Sequence, residues 1–530
     1  MDYQIISDNF FDGYKFNTGL FSIKIRNNRI YKIEKIKKVP VSIKGSKKIF
    51  DLRGKIITPG IIDSHNHFTF TALKMRYEYD LSMVTSISEI IDIIKNNNKS
   101  HAGWLLGYNL NEFNLKEKRM PNFKDLDKIN EKIPIYITHY SMHYAVCNSE
   151  ALKIAKIDDK TPNPIGGIIG RDEQGNINGI LYEPSAMNLV RSKISEYSLE
   201  EYLEAISYAS ERYLKTGITC VKDIGGTGKD INEKIRIDAL NLADKTGRLK
   251  IRVGVSLPIF SFNDAIEKLN LARNIKESER LKFTGYKMFL DGSGLSRTAW
   301  MKDEWNKNYN DLDRNNYGFP VWDLDEFKRT LEYISITGAT ISIHAIGDRA
   351  ISELLNIINS IKNKSKYAIV HCTSPSKEDL RNIKANNIAI ESQGSFIYFF
   401  GNEYKANWGK YREKRLFPFK EIVKMGINLC NGSDSPVTTY DPIYGIISTI
   451  SREMKTSKYG EKELNPSQRL NLEDTLKTYT SNCAKVMDWN SIGTLKEGNF
   501  ADIVVWNLIP KNFQELYSNQ KIIDMIFASI

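Results

Sequence analysis

The 530-residue chain lacks paired cysteines: Cys147, Cys220, Cys372, Cys430 and Cys483 are dispersed, with no CxxC spacing. That excludes a disulfide framework and suits a reducing cytosol. It also lacks a basic N-terminal segment followed by an apolar stretch, so a signal peptide is not expected. No uninterrupted apolar run reaches membrane-spanning length. A cytoplasmic, soluble protein without membrane attachment is therefore expected. Basic arms, RNP or finger motifs and glycine-rich phosphate loops are absent too. The net charge of +11 comes from 75 basic against 64 acidic residues, scattered along the chain. A Lys-rich, solvated surface explains this charge better than nucleic-acid binding does. Hydrophobic content of 41% and charged content of 26% are ordinary for a globular protein.

What is present begins with β structure. FSIKIRNNRIYKIEKI alternates apolar and polar residues around Asn27-Asn28, the signature of a hairpin. A short strand, KKIFDLRG, leads to IITPGIIDSHNHF, an apolar run that ends in His65 and His67. On a strand, residues i and i+2 share a face, so these two imidazoles form a candidate metal-ligand pair. About a hundred residues of mixed pattern follow. A structureless loop of that length is improbable, so an inserted subdomain is expected, able to cover a site. From Leu199 onward, helices of some 10–15 residues alternate with short buried strands, which means parallel βα units. Counting the opening strand gives about eight, which suggests a closed (β/α)8 barrel. After the helix NLEDTLKTYTSNCAKVM, the segment SIGTLKEGNFADIVVWN reads as β structure returning to the N-terminal module.

The chain has seven histidines, and four stand at or near the C-terminal ends of expected barrel strands: His65, His67, His344 and His371. Barrel enzymes build their active sites at that face. A lone strand-end histidine is usually a satisfied polar group; four in the same structural position point to a metal site. Asp434, after INLCNGS, and Lys287, in GYKMFLD, sit on two further strands. Lys287 reads as a ligand or as an ion-pair partner of Asp291. Asp434 reads as a catalytic acid–base group or as a turn aspartate.

The stretches TPGIIDSHNHF, NSEAL, GITCVKDIG, KMFLDGSGLSRTAW, IHAIGDRA, NGSDSPV with DPIYGI, and GTLKEGNFADIVVW occur in one order across nearly the whole chain. Together they resemble the amidohydrolase superfamily, and more narrowly its amidohydrolase-3 (YtcJ-like) group. The resemblance implies an α/β fold: a distorted (β/α)8 TIM barrel, a small β-sandwich from both chain termini, and an insert after the first barrel strand. The expected plan is a composite sandwich of residues 1–57 and 490–530 and a barrel of 58–489, with the insert at about 100–198. The resemblance further implies His65, His67, Lys287, His344 and His371 as metal ligands, with Lys287 open to carbamylation. One or two divalent ions, zinc being the expected one, would activate hydroxide. Asp434 is the implied proton carrier, and the metal or His143 of the insert would polarise the carbonyl.

The expected activity is hydrolysis of a C–N bond other than a peptide bond, in an amide, an N-substituted formamide or a cyclic amide or amidine. The expected partner is a small-molecule substrate, with a homodimer left open. The alternative is a non-catalytic binding or regulatory protein on the same scaffold. It is motivated by departures around the site: Val370, Cys372 and Thr373 flank His371, residues 139–143 read HYSMH, and Gly394 follows Gln393.

Overall fold

Apolar runs that are buried on both faces build a parallel sheet, and here the sheet curls into a barrel. The structure is a computed structural model; it describes residues 2–40, 48–140, 144–165, 167–226, 231–306, 315–362, 365–455, 462–519 and 521–528. They divide into two compact units, Met1–Phe68 with Ser210–Ile530, and Thr69–Ala209.

The barrel strands are β1 (Ile61–Asn66), β2 (Ile218–Asp223), β3 (Arg252–Pro258), β4 (Leu281–Phe289), β5 (Thr340–Ala345), β6 (Lys366–His371), β7 (Ala389–Ser392) and β8 (Leu429–Asn431). They pair in sequence order, all parallel. Every residue of β1, β2 and β3 is buried. The intervening helices start where local chemistry says they should. Asn232, Ser261 and Ser376 each accept the N–H three residues on, and Asp323 accepts those of Asp325 and Glu326. Ser376 and Asp379 complete a capping box.

The ring closes between β8 and β1 through loop contacts. Ser433 donates its N–H to Asp63 Oδ1 at 3.0 Å and its hydroxyl to Oδ2 at 2.6 Å. The Asp434 N–H donates to the His65 carbonyl at 2.8 Å. Gly432 allows this approach: a Cβ there would lie 2.5 Å from the His65 nitrogen.

Both chain ends share one seven-stranded sheet. Tyr3–Phe11, Phe16–Arg26, Arg29–Lys35, Lys48–Asp51 and Ile56–Pro59 join Ile503–Trp506 and Ile523–Phe527. Their apolar faces meet in a core that includes Ile5, Phe10, Ile23, Ile57, Ile503 and Val505. The Asn27-Asn28 turn has φ of 49° and 61°, the positive pair a type I′ hairpin needs. Gly60 marks the passage from this sheet into β1; a Cβ there would overlap Thr219 Oγ1 at 2.0 Å.

The second unit has its own six-stranded sheet. Its strand order is Ile168–Arg171, Ile177–Tyr182, Tyr144–Cys147, Ile135–His139, Leu105–Leu110 and Glu78–Asp80. It holds two apolar cores, one including Tyr79, Ile90 and Val146, the other Trp104, Cys147 and Val190. The long stretch after His67 is therefore a folded body. All five cysteines are free and buried. Among the described residues, no helix is long and apolar enough to cross a membrane.

Candidate metal centre

The alternation of a strand sets the first two groups. His65 lies one residue from the end of β1 and His67 just beyond it, both almost fully buried. His344 stands near the end of β5, His371 ends β6, Lys287 lies within β4, and Asp434 follows β8 by three residues. Asp434 Oδ1 is 3.3 Å from Nε2 of His65 and 3.3 Å from Nε2 of His67. The rings of His65 and His371 are 5.5 Å apart, and those of His344 and His371 4.5 Å. One donor atom each from His65, His371 and Asp434 lies within 4.8 Å of the others, a grouping able to hold a metal ion. The backbone at His371 (φ 66°) and Asp434 (φ 57°) is left-handed, a conformation stored where side chains must be aimed.

Each ring's far nitrogen decides what its near nitrogen can do. His67 Nδ1 is 2.7 Å from the Gly225 carbonyl, which only accepts, so Nδ1 carries the proton and Nε2 the lone pair. His371 Nδ1 meets Gln393 Oε1 at 2.6 Å with the same result. His344 is held the other way round. Its Nε2 donates to the Gly292 carbonyl at 2.9 Å, which leaves the lone pair on Nδ1. Burial pushes the His371 imidazole down to about 3, and Lys287 and His65 add to the effect. Burial, with the His371 and Lys287 charges, holds His344 well below its usual value. Both rings are therefore neutral at pH 7, the form that ligates. Burial alone would raise the Asp434 carboxyl, but His65 and His67 outweigh it and hold it well below the usual range.

Lys287 is fully buried, donates to the Met288 carbonyl at 3.1 Å, and lies 4.0 Å from the Phe289 ring centre. Burial pulls its pKa down to about 7 against the attraction of Asp434 and Glu391. A neutral amine is thus accessible near neutral pH. Asp291 spends its oxygens on the backbone N–H groups of Ile346, Gly347 and Trp300, at 2.9 to 3.0 Å.

His143 lies outside the described residues. His139, four positions earlier, belongs to the second unit, where Glu112 Oε2 is 2.9 Å from its Nε2 and Tyr144 stacks on its ring. His101 sits between Glu201 and the Ser195 carbonyl of that unit. The aromatic run SFIYFFGNEY forms a largely buried helix, Ser395–Trp408. Its Phe396 ring stacks 5.9 Å from His371.

Sequence reasoning passed over Asp63, Lys222 and Glu391. Asp63 precedes His65 by two residues and so shares its strand parity. Lys222 and Glu391 are charged residues inside the apolar runs ITCVKDI and IAIES, a signal in itself, because a buried charge must be paired.

The description of the Amidohydrolase family (Amidohydro_3) matches residues 48–520. The chain is 29% identical to Protein LONG AFTER FAR-RED 3 of Arabidopsis thaliana, over 91% of this chain and 83% of that protein. It is 24% identical to an N-substituted formamide deformylase of Arthrobacter pascens, over 87% of this chain and 85% of that one. Among solved structures, an uncharacterized metal-dependent hydrolase from Pyrococcus horikoshii OT3 shares the fold, with a TM-score of 0.77 and 23% identity. The match covers 96% of this chain and 98% of that one. With nearly the whole length matched and the barrel-end groups together, the chain belongs to the Amidohydrolase family.

Proposed function

We propose that the protein is a metal-dependent amidohydrolase that cleaves a C–N bond of a small amide, formamide or cyclic amide. The observation that carries this reading is the convergence of ring nitrogens and one carboxylate at the barrel end. His65 and His67 present Nε2 to Asp434 Oδ1, with His371 alongside. Neutral imidazoles with a carboxylate suit a borderline divalent ion such as zinc. His65, His67, His371, His344 and Asp434 would hold one or two such ions. Lys287 would join them as a carbamate: its neutral Nζ adds to carbon dioxide and loses one proton, giving two ligand oxygens.

A bound divalent ion would supply an acidified water and polarise the scissile carbonyl. The rest falls to the chain's own groups. Asp434 stays ionised at neutral pH, so its Oδ1 is the base that takes the proton of the attacking water. The same oxygen then delivers that proton to the departing nitrogen. His344 and His371 remain neutral, their single N–H protons committed to the Gly292 carbonyl and Gln393 Oε1. Phe260 stacks on Phe289 at 5.6 Å, and Phe289 lies 5.7 Å from His344. These rings favour an amide with an apolar substituent, in keeping with the formamide deformylase among the relatives.

The test is metal analysis of the purified protein, followed by chelation, His65→Ala and turnover across a panel of amides and formamides. Stoichiometric metal with chelator-sensitive turnover is expected. A protein that neither carries nor takes up metal would overturn the reading.

A further inference from the structure

Inside the barrel, three fully buried side chains from three strands meet: Lys222 of β2, Ser342 of β5 and Glu391 of β7. Lys222 Nζ lies 2.5 Å from Glu391 Oε1 and donates to Ser342 Oγ at 2.6 Å. The Ser342 hydroxyl donates to the same Oε1 at 3.0 Å. The ion pair engages one carboxylate oxygen only. Here Oε2 is left out and faces His65 Nδ1 at 3.7 Å. Both atoms are buried, and neither has a hydrogen-bond partner among the described residues.

That separation exceeds a hydrogen bond, which needs about 2.7–3.2 Å. The two atoms nonetheless have only each other. A carboxylate oxygen can only accept. Asp434 Oδ1 faces the other ring nitrogen, Nε2, at 3.3 Å, so an anion stands on each side of the ring; a cation held between Nε2 and Asp434 would leave the ring's one proton to Nδ1. With the proton on Nδ1 the contact becomes a charge-assisted hydrogen bond, and a shift of roughly 0.5–1 Å closes it. The Nε2 lone pair would then be available to the ion that His65 and Asp434 could share.

His67 and His371 have their far nitrogens held by a carbonyl and an amide oxygen. A carboxylate would be a stronger acceptor, and it would make the Nε2 it controls more basic. We propose that Glu391, oriented by Lys222 and Ser342, is the positioning residue of His65, selecting its Nδ1–H form and aiming Nε2 into the metal centre. Both the tautomer and its consequence for metal affinity rest on the metal-centre reading above.

Two measurements separate the two claims. In zinc-loaded wild-type protein labelled with 15N-histidine, the His65 nitrogens, assigned by their loss in His65→Asn, are expected to show a zinc-bound Nε2 and an Nδ1–H. An Nε2–H pattern would overturn the proposal without any variant having to fold. Zinc affinity is then measured by competition with a chelating dye for two neutral replacements of the ion pair. K222M/E391Q keeps an acceptor oxygen near His65, and K222M/E391L does not. Neither leaves an unpaired buried charge. K222M/E391L is expected to bind zinc about 10–100-fold more weakly than wild type, with the Nδ1–H signature lost. K222M/E391Q is expected to recover most of both. Wild-type affinity in both variants would reduce the cluster to barrel packing and overturn the proposal. If wild type takes up no zinc, the metal-centre reading fails and this proposal with it; if wild type binds zinc and both variants bind it as tightly, that reading stands and the role of Glu391 alone fails.

Discussion

His65 and Asp434 touch twice. The Asp434 backbone N–H donates to the His65 carbonyl at 2.8 Å, and its carboxylate lies 3.3 Å from the His65 ring nitrogen. The closure of the barrel and the assembly of the centre are thus one event. The first and last strands meet at two of the groups that chemistry would use. Changes at this seam should therefore register in both stability and metal binding.

Gly432→Ala tests that coupling. The added methyl would meet the His65 nitrogen at 2.5 Å and Asp63 Oδ1 at 2.8 Å, backbone and buried carboxylate that cannot step aside. A loss of about 1–3 kcal/mol is expected, seen as a lower melting temperature, with weaker zinc binding alongside. Unchanged melting and zinc binding would show that the seam has slack.

Asp434→Asn removes the proposed base but keeps the size of the side chain. A fall in kcat of roughly 10²–10⁴ is expected, with KM little changed. Zinc content should be followed in the same preparation. Full activity in the variant would reassign the proton transfer to another group.

Lys287 should accept carbon dioxide. Protein equilibrated with 13C-bicarbonate is expected to show one carbamate carbon signal, absent in Lys287→Met. No signal in metal-loaded wild type would remove the carbamate from the scheme.

Asp441 caps the helix Pro442–Ser451 by accepting the Ile443 N–H at 3.1 Å. Burial lifts its carboxyl to about 6, above the unfolded value of 3.8. Between those values the folded state holds more protons than the unfolded one, so stability falls as pH rises and is fully reduced above about 6. Asn caps equally well without a charge. Asp441→Asn should therefore be the more stable protein by about 1–2 kcal/mol at neutral pH, with no such advantage near pH 4. Melting curves at both pH values check this, and a constant difference would place the titration elsewhere.

Much of the fold was legible in the sequence because the signals were local. The Asn27-Asn28 hairpin and the capped helices after Asn232, Ser261 and Ser376 follow from turn and cap chemistry within a few residues. The barrel strands announced themselves as apolar runs, and His65, His67, His344 and His371 as polar residues at their ends. The helix Ser395–Trp408 was harder to read: its aromatic residues are buried all round, so no polar face marks the period. The strand Ile523–Phe527 is partly exposed along its length and is defined by its partner, Ile503–Trp506.

By itself, then, the sequence determined which elements form, in what order, and which residues stand at the strand ends, because periodicity, caps and turns act over a few positions. Only the tertiary structure decided which ring nitrogen of His67, His371 and His344 keeps its lone pair. That depends on Gly225, Gln393 and Gly292, which lie 158, 22 and 52 positions from them. Closing the barrel brings them together, and no local pattern records which acceptor a ring will meet.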